Sequence, residues 1–134
     1  MMASEALYIS VQGNKVVAGR TDIIGSIGTK LVLLDLSKMF EQDGVRVISV
    51  DTGFMKSAGE PGLPITDEQV AEFQRIVDFY FADFVKEVQR GRGMSRANVL
   101  RIADGRFWPA VEARGIGLVD RIETVDQTIS RLRR

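Results

Sequence analysis

Ile24-Gly25-Ser26-Ile27-Gly28 is the stretch on which the reading of this chain turns. The β-branched pair at 23–24 runs into a serine flanked by glycines at 25 and 28. That is the pattern of a tight turn. On its N-terminal side, residues 15–18 form a short apolar run predicted to be a strand. Before them, Ser4 sits in Met2-Ala3-Ser4-Glu5-Ala6-Leu7-Tyr8-Ile9-Ser10. On its C-terminal side, residues 31–34 are predicted to be a buried strand, and Asp35 to cap a helix through Gln42 that Asp43-Gly44 ends. Residues 45–50 (Val-Arg-Val-Ile-Ser-Val) alternate and are largely β-branched, which predicts another strand. A loop over 51–65 follows, rich in glycine and proline and carrying Lys56; loops of this length in a small domain are usually functional.

The second half reads as helical. Thr66-Asp67-Glu68-Gln69 is a capping box, with Thr66 at the cap and Gln69 three residues on. Val70, Phe73, Val77, Phe81, Phe84 and Val88 then recur at spacings of three and four, which predicts one long helix ending near Arg90-Gly91. With Phe79 and Tyr80 added, its apolar residues occupy several faces. Such a helix is buried on more than one side, within the domain or under a second subunit. Ser95 is predicted to cap a helix through Ala103, and Asp104-Gly105 to form a turn before an extended piece at 106–108. Pro109 opens a helix that stops at Gly115. Residues 118–120 are predicted to be a short buried strand, and Thr124-Val125-Asp126-Gln127 is a second capping box. Strands in the first half and helices in the second make the fold class α/β.

Composition removes several kinds of chemistry. The 134 residues suit one domain, and a hydrophobic fraction of 45% is enough to build a core. There are 18 Lys and Arg against 18 Asp and Glu, which argues against binding nucleic acid through bulk charge. Arg131, Arg133 and Arg134 read as a solvated helix end favoured by the helix dipole. With no cysteine and no histidine, the chain has no disulfide framework and no usual zinc ligands. It can build neither a Ser-His-Asp relay nor a thiolate nucleophile; a serine activated by a neutral lysine amine is the remaining common route. No apolar run is long enough to cross a bilayer, and residues 1–10 lack the features of a signal peptide. As written, the chain is expected to be soluble and not exported.

Six segments occur in one order over nearly the whole chain. They are the Ser4 segment 2–10, Ile24-Gly25-Ser26-Ile27-Gly28, Val50-Asp51-Thr52-Gly53-Phe54-Met55-Lys56, Arg90-Gly91-Arg92-Gly93-Met94, Ala103-Asp104-Gly105-Arg106-Phe107-Trp108 and Gly115-Ile116-Gly117-Leu118-Val119-Asp120. Together they resemble the signature segments of the signal peptide peptidase A family of serine peptidases. The resemblance implies a partial Clp/crotonase-like fold beginning at the nucleophile segment, taken here as one incomplete domain over residues 1–134. It implies Ser4 as nucleophile, Lys56 as general base, Ser26 as the hydroxyl that orients the lysine, and the backbone amide of Glu5 as an oxyanion donor. It further implies an extended peptide substrate, a homo-oligomer, no cofactor, no metal, no nucleic acid, and membrane association only through segments outside this chain.

The implied chemistry is coherent. A free lysine has a pKa of about 10.4 and is a poor base near neutrality, but burial lowers it. Phe54, Met55 and Ala58 are the neighbours expected to supply an apolar setting for Lys56. The sequence departs from the family pattern where two glycines follow the serine; here they are Glu5 and Ala6, placing a carboxylate beside the expected oxyanion. The family's preceding βα units, with the glycine-rich loop that gives a second oxyanion donor, have no counterpart in these residues. The chain is therefore expected to be a fragment of a longer peptidase or a reduced descendant. A phage-type capsid-maturation protease of the same family is a close variant. The alternative is a catalytically inactive fragment or an oligomeric scaffold module of the same fold; a crotonase-type acyl-CoA enzyme is a third and weaker option.

Overall fold

The structure, a computed structural model, describes residues 1–133; Arg134 of the basic tail lies outside the described residues. The fold is mixed α/β, with short strands and mostly short helices, and it divides into two compact units, Met1–Thr29 with Tyr80–Arg134, and Lys30–Phe79.

The first unit holds every fully buried apolar side chain among the described residues. Strand β1 (Met2–Ala3) leads into helix α1 (Glu5–Ser10), followed by strands β2 (Val17–Ala18) and β3 (Ile23–Gly25). The second unit contains helix α2 (Ser37–Gln42) and the start of α3 (Asp67–Arg92), whose last turns belong to the first unit. Then come α4 (Arg96–Leu100), β4 (Phe107–Pro109), α5 (Ala110–Gly115), β5 (Arg121–Ile122) and α6 (Val125–Leu132). Strand β3 is central in a three-stranded sheet. It runs parallel to β1, with Ala3 opposite Gly25, and antiparallel to β4, with Gly25 opposite Phe107. Strands β2 and β5 form a separate parallel pair.

The core explains why α1 lies where it does. Leu7 and Val11 are completely buried in one cluster with Ile24, Ile27, Val85, Val88 and Leu118. Each such side chain contributes roughly 1.5–3 kcal/mol of hydrophobic stabilisation. The Tyr8 hydroxyl donates to the Asp83 carboxylate at 2.8 Å, and its ring meets Phe84 edge-on at 5.5 Å. At Gly91 the C-terminal part of α3 passes so close to α1 that a Cβ would overlap the Val11 carbonyl. Gly91 therefore stays inside the helix, which continues to Arg92 beyond its predicted end.

Arg92 ties this unit together. Its side chain is only 8% exposed; Nε donates to the Gly117 carbonyl at 2.9 Å and the guanidinium donates to Asp120 at 2.8 Å. The same Asp120 oxygen accepts the Val16 amide at 2.7 Å, so α3, the entry to β2 and the entry to β5 share one carboxylate. The Arg92 bond holds the Asp120 carboxyl well below its ordinary value, against the opposing effect of burial.

Both predicted capping boxes form. Thr66 and Gln69 exchange bonds of 3.1 and 3.2 Å at the start of α3, and Thr124 and Gln127 do the same for α6 at 2.8 and 3.2 Å. Asp35 accepts the Ser37 amide and hydroxyl at the head of α2, and Ser95 accepts the Asn98 amide at the head of α4. Helix α4 is shorter than predicted, ending at Leu100.

Three predicted strands differ. Residues 31–34 and 45–50 are not strands, and Val32, Leu34, Ile48 and Val50 are exposed, Val50 at 94%. A strand needs a neighbour to satisfy its amides and carbonyls, and neither run has a ladder partner among the described residues. Leu118 and Val119 are buried as predicted, but the strand lies at 121–122. The Leu118 amide is already spent on the Ala113 carbonyl at the end of α5. Helix α3 buries Phe84, Val85 and Val88, while Phe79 and Tyr80 are more than half exposed.

Two stability outcomes follow from these contacts. Gly91→Ala should destabilise the chain by about 3 kcal/mol in urea unfolding, because backbone opposes backbone and neither can yield. Asp120→Asn should cost about 3 kcal/mol by leaving Arg92 buried and unpaired. The Asp120 pKa is depressed on folding, so its contribution is present above an unfolded value of about 3.9 and is lost as pH falls below it. The parent should therefore lose stability below about pH 4 more steeply than the variant.

Candidate active site

The parallel strands β1 and β3 end side by side, at Ala3 and Gly25, and each is followed at once by a serine. Open α/β sheets bind their ligands at the C-terminal ends of such strands. Ser4 and Ser26 are the only non-glycine residues with positive φ among the described residues, each at 53°. Backbone held there costs on the order of 1–3 kcal/mol and persists only where the surroundings enforce it.

The enforcing contacts are explicit. The Ser4 amide donates to the Gly25 carbonyl at 2.9 Å, and the Ser26 amide donates to the Arg106 carbonyl at 2.8 Å. Gly25 itself has φ 128°, and a Cβ there would come within 2.6 Å of the Arg106 carbonyl. Strand β4 thus presses on β3 at the point where the chain turns. Ser4, at φ 53° and ψ −123°, is the hinge between β1 and α1. A serine at a helix N-terminus ordinarily caps the first turn with its hydroxyl; Ser4 makes no such bond, although its carbonyl accepts the Tyr8 amide at 3.0 Å.

Glu5 follows as the first residue of α1 and is exposed. Its carboxylate lies below its ordinary pKa, lowered first by its own backbone N–H and then by the Ser4 hydroxyl.

Lys56 belongs to the other unit, Lys30–Phe79. Its amide donates to the Gly53 carbonyl at 2.9 Å and its side chain is exposed. Phe54 is 53% exposed, with Met55 and Ala58 half-buried, so these neighbours do not bury the amine; its burial requires contacts beyond its own loop. Asp51 accepts the hydroxyls of Ser49 and Ser57, each at 2.7 Å, and so closes the loop around the lysine. Sequence reasoning missed this clasp, whose only trace is an acidic residue with serines two and six positions away. A depression of about 410 Å³ lined by Arg20, Val111, Arg114, Gly115 and Ile122 contains none of the predicted site residues.

Comparison with known proteins places the chain in a family. The whole chain, residues 1–134, matches the description of peptidase family S49. It is 32% identical over 130 residues to a Methanocaldococcus jannaschii protein named as a protease, covering 97% of this chain and 42% of that one. It is 30% identical over 132 residues to an Enterococcus faecium protein named as a signal peptide peptidase, covering 98% and 38%. A chloroplast serine protease of Arabidopsis thaliana is 24% identical over 129 residues, covering 96% and 19%. The chain spans less than half the length of these relatives.

If the turn at Ser4 is strained, glycine should relieve it. Ser4→Gly is expected to stabilise the chain by about 1 kcal/mol relative to Ser4→Ala in urea unfolding, after the entropy that glycine adds to the unfolded state. Equal midpoints for the two variants would mean that no strain is held there.

Proposed function

This chain belongs to peptidase family S49, and we propose that it carries the Ser4 nucleophile of a serine endopeptidase whose general base is Lys56. The observation that carries the reading is the Ser4 turn: a strained strand-to-helix hinge at the end of a parallel strand, with a hydroxyl not committed to capping the helix. Strained turns of this kind expose nucleophilic serines in unrelated hydrolases. The names of the relatives, a serine protease among them, support the same chemistry.

In the proposed cycle the neutral Lys56 amine takes the Ser4 Oγ proton as that oxygen attacks the carbonyl carbon of the scissile peptide bond. Negative charge gathers on the former carbonyl oxygen, where the Glu5 amide donates. The tetrahedral intermediate collapses, the C–N bond breaks, and the Lys56 ammonium protonates the departing amine. Water then hydrolyses the acyl-enzyme with the same lysine as base. Ser26, beside Ser4 at the adjoining strand end, is proposed to orient the lysine amine by a hydrogen bond.

The fuller architecture is proposed on the same footing. The two units are parts of one peptidase domain of Clp/crotonase type. The substrate is an extended peptide such as a membrane-derived signal remnant, and the active form is a homo-oligomer. The exposed apolar runs at 31–34 and 45–50 support covering by a partner protein surface.

Ser4→Ala and Lys56→Ala should each lower kcat on a panel of fluorogenic peptides by at least about 10³-fold; hydrolysis by either at the parent's rate would sink the dyad. Glu5→Gly removes a negative charge beside the developing oxyanion, so kcat should rise by about tenfold. Protonating Glu5 cannot mimic this near neutrality, since its pKa lies below the ordinary glutamate value.

A further inference from the structure

We propose that Gln69 is a positioning residue for Lys56, its side-chain amide tethering the lysine-bearing loop to the first turn of α3. The proposal rests on the Ser4/Lys56 reading above, and its structural half stands on hydrogen bonds within the Lys30–Phe79 unit alone.

Gln69 is the one fully buried residue of that unit, at 8% exposure, and it is polar. A buried polar side chain has to be satisfied on both its donor and its acceptor. Oε1 accepts the Thr66 amide at 3.1 Å, completing the capping box, while Nε2 donates to the Phe54 carbonyl at 2.6 Å. Phe54 lies two residues before Lys56. A capping box is served equally by glutamate or glutamine, but only an amide can accept and donate at once. The second bond therefore accounts for glutamine at position 69.

The loop has its own internal ties: the Lys56 and Ala58 amides bond to Gly53 and Met55 at 2.9 and 3.2 Å, and Asp51 clasps Ser49 and Ser57. These hold its shape. The Gln69 bond fixes that shape to a 26-residue helix. A base that must reach a serine hydroxyl is sensitive to such placement, since displacement by about 1 Å can cost on the order of 10²-fold in rate.

Two substitutions separate the two bonds of Gln69. Gln69→Glu, assayed at about pH 8 where the carboxyl is ionised, keeps an acceptor for the Thr66 amide and loses the donor to Phe54. Thr66→Ala weakens the cap and leaves the tether. Peptide hydrolysis and amide hydrogen exchange are measured for the parent, both variants and Lys56→Ala. The expected result for Gln69→Glu is a fall in kcat of at least about tenfold with KM within about twofold, and faster exchange at the Lys56 amide with the start of α3 unchanged. Thr66→Ala should show the converse: faster exchange at the start of α3 and a kcat within about twofold of the parent. Parent-like kcat or parent-like Lys56 exchange in Gln69→Glu overturns the proposal, as does an equal fall in kcat for the two variants. Hydrolysis by Lys56→Ala at the parent's rate, or a parent at background, defeats the dyad reading and the positioning role with it. That failure is distinguishable, because exchange at the Lys56 amide still reports whether the tether exists.

Discussion

The parallel pairing of β1 with β3, with Ala3 opposite Gly25, is the constraint on which the candidate site depends. It brings two strand ends together and passes the Gly25 carbonyl to the Ser4 amide. It works only because residue 25 lacks a side chain where β4 presents the Arg106 carbonyl. With β3 held between two neighbours, β1 and β3 are each followed by a serine at positive φ. Strain of this kind is sustained by what surrounds it. Here the surroundings are the buried cluster under α1, the Tyr8–Asp83 bond and the close crossing at Gly91.

The two units differ in how they are held. The first has a closed apolar core and a buried arginine–carboxylate link at Arg92 and Asp120. The second buries no apolar side chain fully and relies on polar ties: Asp35 to Ser37 and Ile65, Asp51 to two serines, and Gln69 to Thr66 and Phe54. Segments with few buried contacts open at low free energy. In the proposed mechanism the nucleophile thus sits on the rigid unit and the base on the unit held by hydrogen bonds, where local placement matters most.

Features decided within a few residues were legible in the sequence. The capping boxes at Thr66 and Thr124 and the cap at Ser95 each rest on local geometry, and each formed. The runs at 31–34 and 45–50 have strand-forming residues, but strand formation depends on a partner elsewhere, which propensity does not encode. The strand displaced from 118–120 to 121–122 has the same cause, since the end of α5 claims the Leu118 amide first. The expected site residues Ser4, Ser26 and Lys56 rest on ordered family segments rather than on residue chemistry. The backbone strain at the two serines and the second bond of Gln69 carry no sequence signature, because both are set by contacts with distant parts of the chain.

The central claim is that Ser4 becomes acylated. The most direct measurement is mass spectrometry of this chain quenched during turnover of a slowly deacylating peptide ester, followed by digestion and mapping. The account predicts one acyl adduct on the peptide containing Ser4, absent from Ser4→Ala. Turnover with an adduct elsewhere, or with no adduct while Ser4→Ala hydrolyses equally well, would contradict it.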